Sequence, residues 1–121
     1  MPKYKLIVIG AGPGGYVAAI RAAQLGMKVA LVEKGPTLGG TCSNVGCIPS
    51  KAMLDSSELY HLAKEKFAGH GINVPDLSLD LAQMRKRKDE VVSTTVAGID
   101  YLIKKNKIDR FEGLGSFVDP H

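Results

Sequence analysis

Two cysteines and a cluster of glycines supply the residue types in this 121-residue chain that could do chemistry. Cys42 and Cys47, the only cysteines, stand five positions apart in Gly39-Gly40-Thr41-Cys42-Ser43-Asn44-Val45-Gly46-Cys47-Ile48-Pro49-Ser50-Lys51. Thiols this close can form a dithiol/disulfide couple that moves two electrons, half of a metal site, or inert core filler. In a regular helix, residues five apart rise about 7.5 Å along the axis, whereas a disulfide wants its Cα atoms about 5–6 Å apart. A bridge therefore needs a distorted turn, and Gly46 beside Cys47 supplies the freedom for one. Zinc would need two further ligands, and the eight residues between His61 and His70 are more than the roughly three to five of common fingers. In the dithiol reading, the positive end of a helix beginning near Pro49, together with Lys51, favours the thiolate.

The second constellation is Gly10-Ala11-Gly12-Pro13-Gly14-Gly15, which matches G-x-G-x-x-G at Gly10, Gly12 and Gly15. Gly10 permits a tight turn, Gly12 lets a pyrophosphate approach the backbone, and Gly15 lets a following helix close on a preceding strand. Such a helix turns unpaired N–H groups and a positive dipole end toward the phosphates. Glu33, about twenty residues on, is placed to accept hydrogen bonds from a ribose and to repel a 2′-phosphate. The motif indicates a dinucleotide without choosing between NAD and FAD.

The motif works only if particular elements position it. Lys5 to Ile9 is a continuous apolar run ended by glycine, as in a parallel strand covered on both faces. Gly12 to about Leu25 offers a helix face of small and apolar residues that stops at Gly26, and Lys28 to Glu33 reads as a second buried strand. Strand, helix and strand make a βαβ unit, for which a right-handed crossover is expected. Gly35 to Gly46 is expected to be a loop, with a helix from Pro49 and Ser50 to the stop at Gly69-His70-Gly71. After a connection containing Pro75, a longer helix is expected over Leu79–Lys105, its near-heptad stripe packing along another helix. Ile108 to Phe111 is a weaker strand candidate. The fold class is α/β, a Rossmann-like βαβ with a parallel sheet and two additional helices, forming an incomplete domain.

Composition narrows the function classes. With 45% hydrophobic and 23% charged residues, the chain is neither collagen-like, disordered nor a disulfide scaffold. Its apolar stretches fall short of the roughly 18–20 residues a membrane span needs. The residues before Leu6 leave no room for a secretion leader, so a soluble, cytoplasmic protein is expected. The net charge of +4 is modest, and the run Arg85-Lys86-Arg87-Lys88 is followed by Asp89 and Glu90. Arg85 with Asp89, or Lys86 with Glu90, can pair on a solvated helix face. No zinc-finger spacing or aromatic strand pattern accompanies the charge, so a nucleic-acid partner is not expected.

Together, Gly10 to Tyr16, Glu33 and the run Gly39 to Lys51 resemble the start of the pyridine nucleotide–disulfide oxidoreductases. Ile48-Pro49-Ser50-Lys51 and Gly12-Pro13-Gly14-Gly15-Tyr16 are most similar to the branch that oxidises dihydrolipoyl groups. Glutathione reductases usually carry a second lysine where Ser50 stands. The resemblance implies that this first cradle binds FAD, with NAD held by a domain beyond this chain. It implies that Cys42 is the interchange thiol and that Cys47 lies against the flavin. Lys51 would stand near the reactive nitrogen of the isoalloxazine. By the same resemblance Gly10, Gly12, Pro13, Gly14, Gly15, Glu33, Lys34, Gly39, Gly40, Thr41, Cys42, Cys47 and Lys51 line the cofactor, and Gly115 makes a backbone contact near adenine. Ser43 replaces a usual leucine, which implies altered packing between the thiols.

In the family, dihydrolipoamide reduces the disulfide, and the electrons pass through FAD to NAD⁺. The implied partners are lipoyl groups of 2-oxo acid dehydrogenase or glycine cleavage complexes, and the parent enzyme is implied to be a homodimer. Residues 1–121 would be the N-terminal part of the FAD-binding domain. The NAD-binding domain, and the interface domain with its His–Glu pair, would lie outside this chain. A whole enzyme of that plan needs about 400 residues or more, so turnover by this chain alone is not expected. His61 and His70 match no acid/base position of the family and are expected at the surface. A mercuric or glutathione reductase, or a non-catalytic fragment, are the alternatives.

Overall fold

A computed structural model describes residues 3–119. The elements run β1 (Leu6–Ile9), α1 (Pro13–Gln24), β2 (Val29–Glu33), α2 (Gly40–Asn44), α3 (Cys47–Glu65), a 3₁₀ turn (Phe67–His70), α4 (Leu81–Lys105) and β3 (Asp109–Glu112). The sheet is parallel throughout, in the order β1-β2-β3, with Leu6 opposite Val29 and Val32 opposite Phe111. The expected α/β βαβ architecture is present. The central position of β2 explains its apolar run: Val29, Ala30 and Leu31 are all buried. Helix α1 lies close on the sheet through Ala19 and Ala22, and α4 packs beside it through Ile99 and Ile103.

Several boundaries differ from the sequence expectation. The stretch Gly35 to Gly46 is not all loop, because Gly40 to Asn44 winds into the short helix α2. Helix α3 begins at Cys47 rather than Pro49. Proline is tolerated there because the first-turn N–H groups have no intrahelical partner to lose. Helix α3 ends at Glu65, and the remaining turn to Gly71 is a 3₁₀ turn. Helix α4 starts at Leu81, two residues late, because the Asp80 carboxylate accepts the Gln83 N–H at 2.9 Å and so caps it.

β1 is not covered on both faces as its apolar run suggested. Ile7 and Ile9 are 57% and 46% exposed, and Phe111 on β3 is 46% exposed. These side chains share the face opposite α1 and α4, over which no helix packs among the described residues. The basic run on α4 is a solvated face in part. Lys86 pairs with Glu90 at 4.0 Å, whereas Asp89 pairs with its neighbour Lys88 rather than with Arg85. Arg87, still exposed, reaches toward Asp55 on α3, and α4 packs along α3 as its stripe suggested.

The closeness of α1 to the sheet makes a sharp prediction about two adjacent glycines. A Cβ at Gly15 would stand 1.8 Å from the Gly10 carbonyl oxygen, while one at Gly14 would meet nothing within 4 Å. Gly15→Ala is expected to lower unfolding stability by about 3 kcal/mol or more. Gly14→Ala should stay within about 0.5 kcal/mol of the parent. Urea unfolding followed by circular dichroism reads both.

Candidate functional site

The glycine turn between β1 and α1 is held by one peptide group. Ala11 is fully buried; its N–H donates to the Glu33 carboxylate at 2.7 Å, and its carbonyl accepts the Gly39 N–H at 2.8 Å. The second Glu33 oxygen accepts the Gly35 N–H at 2.9 Å. These amides, Ala11 first and Gly35 next, hold the Glu33 carboxyl below its ordinary pKa against the opposing effect of burial. Glu33 thus fastens the end of β2 to the turn as well as facing the neighbouring cleft, a role its spacing alone did not reveal.

That cleft, about 130 Å³, opens at the carboxyl ends of the strands. It brings together four expected positions, Gly10, Glu33, Lys34 and Gly115, between walls that include Ile9 and Val32. Gly115 packs closely on Ile9, since a Cβ there would stand 3.0 Å from the Ile9 side chain and would make it give way. Gly12 is the N-cap of α1, in extended backbone, followed by Pro13 at the first helical position. The α1 N-terminus therefore points its free N–H groups past Gly12 and Gly14, where a Cβ would meet nothing within 4 Å.

The cysteine segment abuts this turn directly. A Cβ on Gly40 would lie 2.7 Å from the Gly12 Cα, so the two backbones touch, and Gly39 and Gly40 both take left-handed conformations. Thr41 and Cys42 follow on α2. Ser43 is buried, standing where a Cβ on Gly39 would meet it at 2.6 Å and close to Ile99 of α4. Its packing is thus fixed by a glycine and a helix rather than by either thiol. Asn44, which the sequence did not single out, braces the segment by donating to the Leu38 and Gly40 carbonyls at 3.0 and 2.8 Å. Asparagine's habit of bonding nearby backbone was the available signal. Arg110, also missed, reaches from β3 to the Pro36 carbonyl at 2.6 Å and to Asp100 at 3.2 Å. Nothing local to Arg110 announces a contact so far along the chain.

Cys42 is half-buried on α2 and Cys47 is exposed at the first turn of α3, and both carry free thiols. The helix break at Val45 and Gly46 is the distorted turn that brings them together. The Cys42 pKa is raised rather than lowered, contrary to the expectation of an activated thiolate. The main cause is a hydrogen bond with the Cys47 side chain, followed by burial and by the Cys47 charge. The Cys47 backbone and the positive charge of Lys51 act in the lowering direction without prevailing. Lys51, one turn into α3 from Cys47, is exposed. His61 and His70 are exposed and far along α3 and its 3₁₀ extension, as expected. No group of three or more metal-ligating side chains occurs among the described residues.

The glycine turn and the thiol-bearing segment thus form one continuous surface, with the α1 N-terminus open at one end and the two cysteines at the other. A family model described as pyridine nucleotide-disulphide oxidoreductase matches residues 4–121, and the chain belongs to that family. A mitochondrial dihydrolipoyl dehydrogenase of Schizosaccharomyces pombe is 58% identical over 118 residues, 98% of this chain and 23% of the relative. The mitochondrial dihydrolipoyl dehydrogenase of Pisum sativum is 56% identical over 115 residues, 95% of this chain and 23% of its own length. The chain therefore spans about a quarter of these relatives. Among solved structures, the Cu(II) complex of the HOCl-induced flavoprotein disulfide reductase RclA from Escherichia coli aligns with a TM-score of 0.79. That alignment has 28% identity and covers 100% of this chain and 24% of the other.

The depressed Glu33 pKa predicts an acid-side signature. Its carboxylate contributes stability that is present above the ordinary value of 4.5 and is lost as pH falls through the lower native value. Glu33→Gln should destabilise the chain by about 1–3 kcal/mol at pH 7. The gap between the two proteins should narrow progressively below pH 4.5, as read from urea midpoints across the acid range.

Proposed function

We propose that this chain is the FAD-binding, redox-disulfide portion of a dihydrolipoyl dehydrogenase. The observation that carries the reading is the backbone contact of Gly12 with Gly40, which makes the phosphate turn and the thiol segment one surface. The residues fit the cofactor. Space is open beside Gly10, Gly12 and Gly14, whereas at Gly15 and Gly40 the backbone already occupies it. Bound FAD supplies two-electron chemistry with a stable reduced form.

The chain's own residues divide the work along that surface. Gly10, Glu33, Lys34 and Gly115 line the adenosine end, with the Glu33 carboxylate able to take ribose hydroxyls on lone pairs its two amides leave free. Gly12, Pro13, Gly14 and Gly15 present the α1 N-terminus to the pyrophosphate, and Gly39, Gly40 and Thr41 continue the path toward the thiols. Cys42 would exchange with the substrate sulfur, and Cys47 would be the thiol on the flavin side. Lys51 places a fixed cation where negative charge develops. In the balanced reaction the Cys42–Cys47 disulfide takes two electrons and two protons from a dihydrolipoyl dithiol, which closes to lipoyl disulfide, and NAD⁺ is the final acceptor. In this direction Cys42 enters as part of the disulfide and the first proton to leave is the substrate thiol's, which we assign to a His–Glu pair on a further domain.

Residues 1–121 are read as the N-terminal part of the FAD-binding domain, with NAD-binding and dimer-interface domains beyond them. The bare sheet face at Ile7, Ile9 and Phe111 supports an incomplete domain. The partners would be lipoyl groups of 2-oxo acid dehydrogenase or glycine cleavage complexes, served by a homodimeric parent. Among the described residues no helix is long and apolar enough to cross a membrane. The fission yeast and pea relatives are mitochondrial by name, so the cytoplasmic placement expected from the sequence has no support in them.

Gly12→Ala separates binding from folding, because its Cβ clashes with nothing in the chain and φ −68° suits alanine. The variant should unfold as the parent does yet bind FAD at least about tenfold more weakly. Flavin titration followed by visible absorbance reads this, and equal flavin affinity of the two proteins would remove the assignment. Mild oxidation should bridge Cys42 to Cys47, seen as a two-dalton mass loss in the peptide that holds both.

A further inference from the structure

Helix α3 carries Cys47, Lys51 and Asp55 at successive four-residue steps. Residues four apart on a helix are neighbours, so an aspartate one turn beyond a lysine is within pairing reach of its ammonium. Yet the ion pair that Asp55 makes is with another element: Arg87 Nη2 of α4 donates to Asp55 Oδ2 at 2.8 Å. The same guanidinium donates through Nη1 to the Ala52 carbonyl at 3.1 Å and to Ser56 Oγ at 3.3 Å. Lys51 has no hydrogen bond or ion pair among the described residues.

We propose that Arg87 is a positioning residue for the thiol pair: by holding the Asp55 carboxylate toward α4, it keeps that carboxylate off Lys51 and leaves the ammonium free to face the sulfurs. The guanidinium's contacts with three acceptors on α3 fix the direction in which Asp55 is drawn. It also fixes α3 on the helix that seats α2 through Ser43 and Ile99, so both cysteine-bearing elements share one platform. The field of Lys51 at Cys42 already acts toward thiolate. Pairing Lys51 with Asp55 would cancel part of that field.

The inference rests on the reading of Cys42 and Cys47 as a redox couple, but its test does not need flavin. The full chain is reduced, alkylated with iodoacetamide at pH 7.5, and the rate at Cys42 is followed by peptide mass mapping. Arg87→Gln should slow Cys42 alkylation about two- to fivefold, and 1 M salt should shrink the difference. Adding Asp55→Asn to Arg87→Gln should restore the parent rate, because no carboxylate then competes for Lys51. Arg87→Lys should keep most of the rate, since it still neutralises Asp55. An unchanged rate in Arg87→Gln, a double variant as slow as the single, or Arg87→Lys as slow as Arg87→Gln would overturn the proposal. A purely structural cross-link predicts no rescue by the second substitution. Failure of the oxidised parent chain to form the Cys42–Cys47 bridge would instead defeat the redox reading itself.

Discussion

The peptide unit at Ala11 is the point on which the remaining structure depends. It is buried, so both its polar groups need partners, and each finds one from a different segment: the Glu33 carboxylate takes the N–H and the Gly39 amide supplies the carbonyl. A bond to an ionised acceptor away from full solvent is stronger than a neutral one, and leaving either group unpaired would cost roughly 1–3 kcal/mol. Three stretches that are distant in sequence are thereby fixed in one place. The glycine turn cannot relax, β2 cannot end elsewhere, and the cysteine segment must begin where Gly39 enters that bond. The position of the thiols relative to the glycine turn follows from this single junction.

Beyond the junction, the thiol pair owes its geometry to a helix that is interrupted rather than continuous. Had Gly40 to Glu65 been one helix, Cys42 and Cys47 would have been separated by more than a turn of rise and would have pointed along different directions. The break at Val45 and Gly46 restarts the helix at Cys47, and a side chain at Gly46 would crowd the Thr41 carbonyl oxygen, from which a Cβ would stand 3.0 Å. Proximity then acts on the thiols' ionisation. Each sulfur becomes the other's nearest partner, so the shared hydrogen bond stabilises the protonated form of Cys42 more than the nearby lysine stabilises its thiolate. The pairing thus favours the protonated dithiol over the separated Cys42 thiolate.

The readable parts of the fold were those whose cause is local. β1, α1 and β2 follow from apolar runs and glycine stops, and G-x-G-x-x-G between a strand and a helix sufficed to place Gly10, Gly12 and Gly15. Glu33 was found by its distance along the chain, but its use as a backbone anchor was not, because the amides it accepts from lie at positions where any residue has an N–H. α3 starts at Cys47, two residues before the expected Pro49, for a related reason. Pro49 marks a first turn without saying which of its positions it occupies. Ala11, Arg110 and Arg87 were invisible because each matters through partners set by tertiary packing, and a small apolar side chain or a lone cation carries no record of what it will touch.

The exposed face of the sheet marks where local reading fails for a different reason. A run such as Leu6-Ile7-Val8-Ile9 signals a strand with apolar neighbours on both sides, whereas among the described residues only one of those sides is covered. Leu6 and Val8 find their cover in α1, while Ile7 and Ile9 lie open beside Phe111, with Leu114 and Phe117 exposed just beyond. Each fully buried aliphatic side chain is worth about 1.5–3 kcal/mol, so leaving this surface in water is a considerable loss for a single domain. The same face borders the cleft through Ile9 and Gly115. Ile9 therefore belongs at once to the exposed sheet face and to the cleft wall, so burial of that face and enclosure of the cleft are coupled through one side chain.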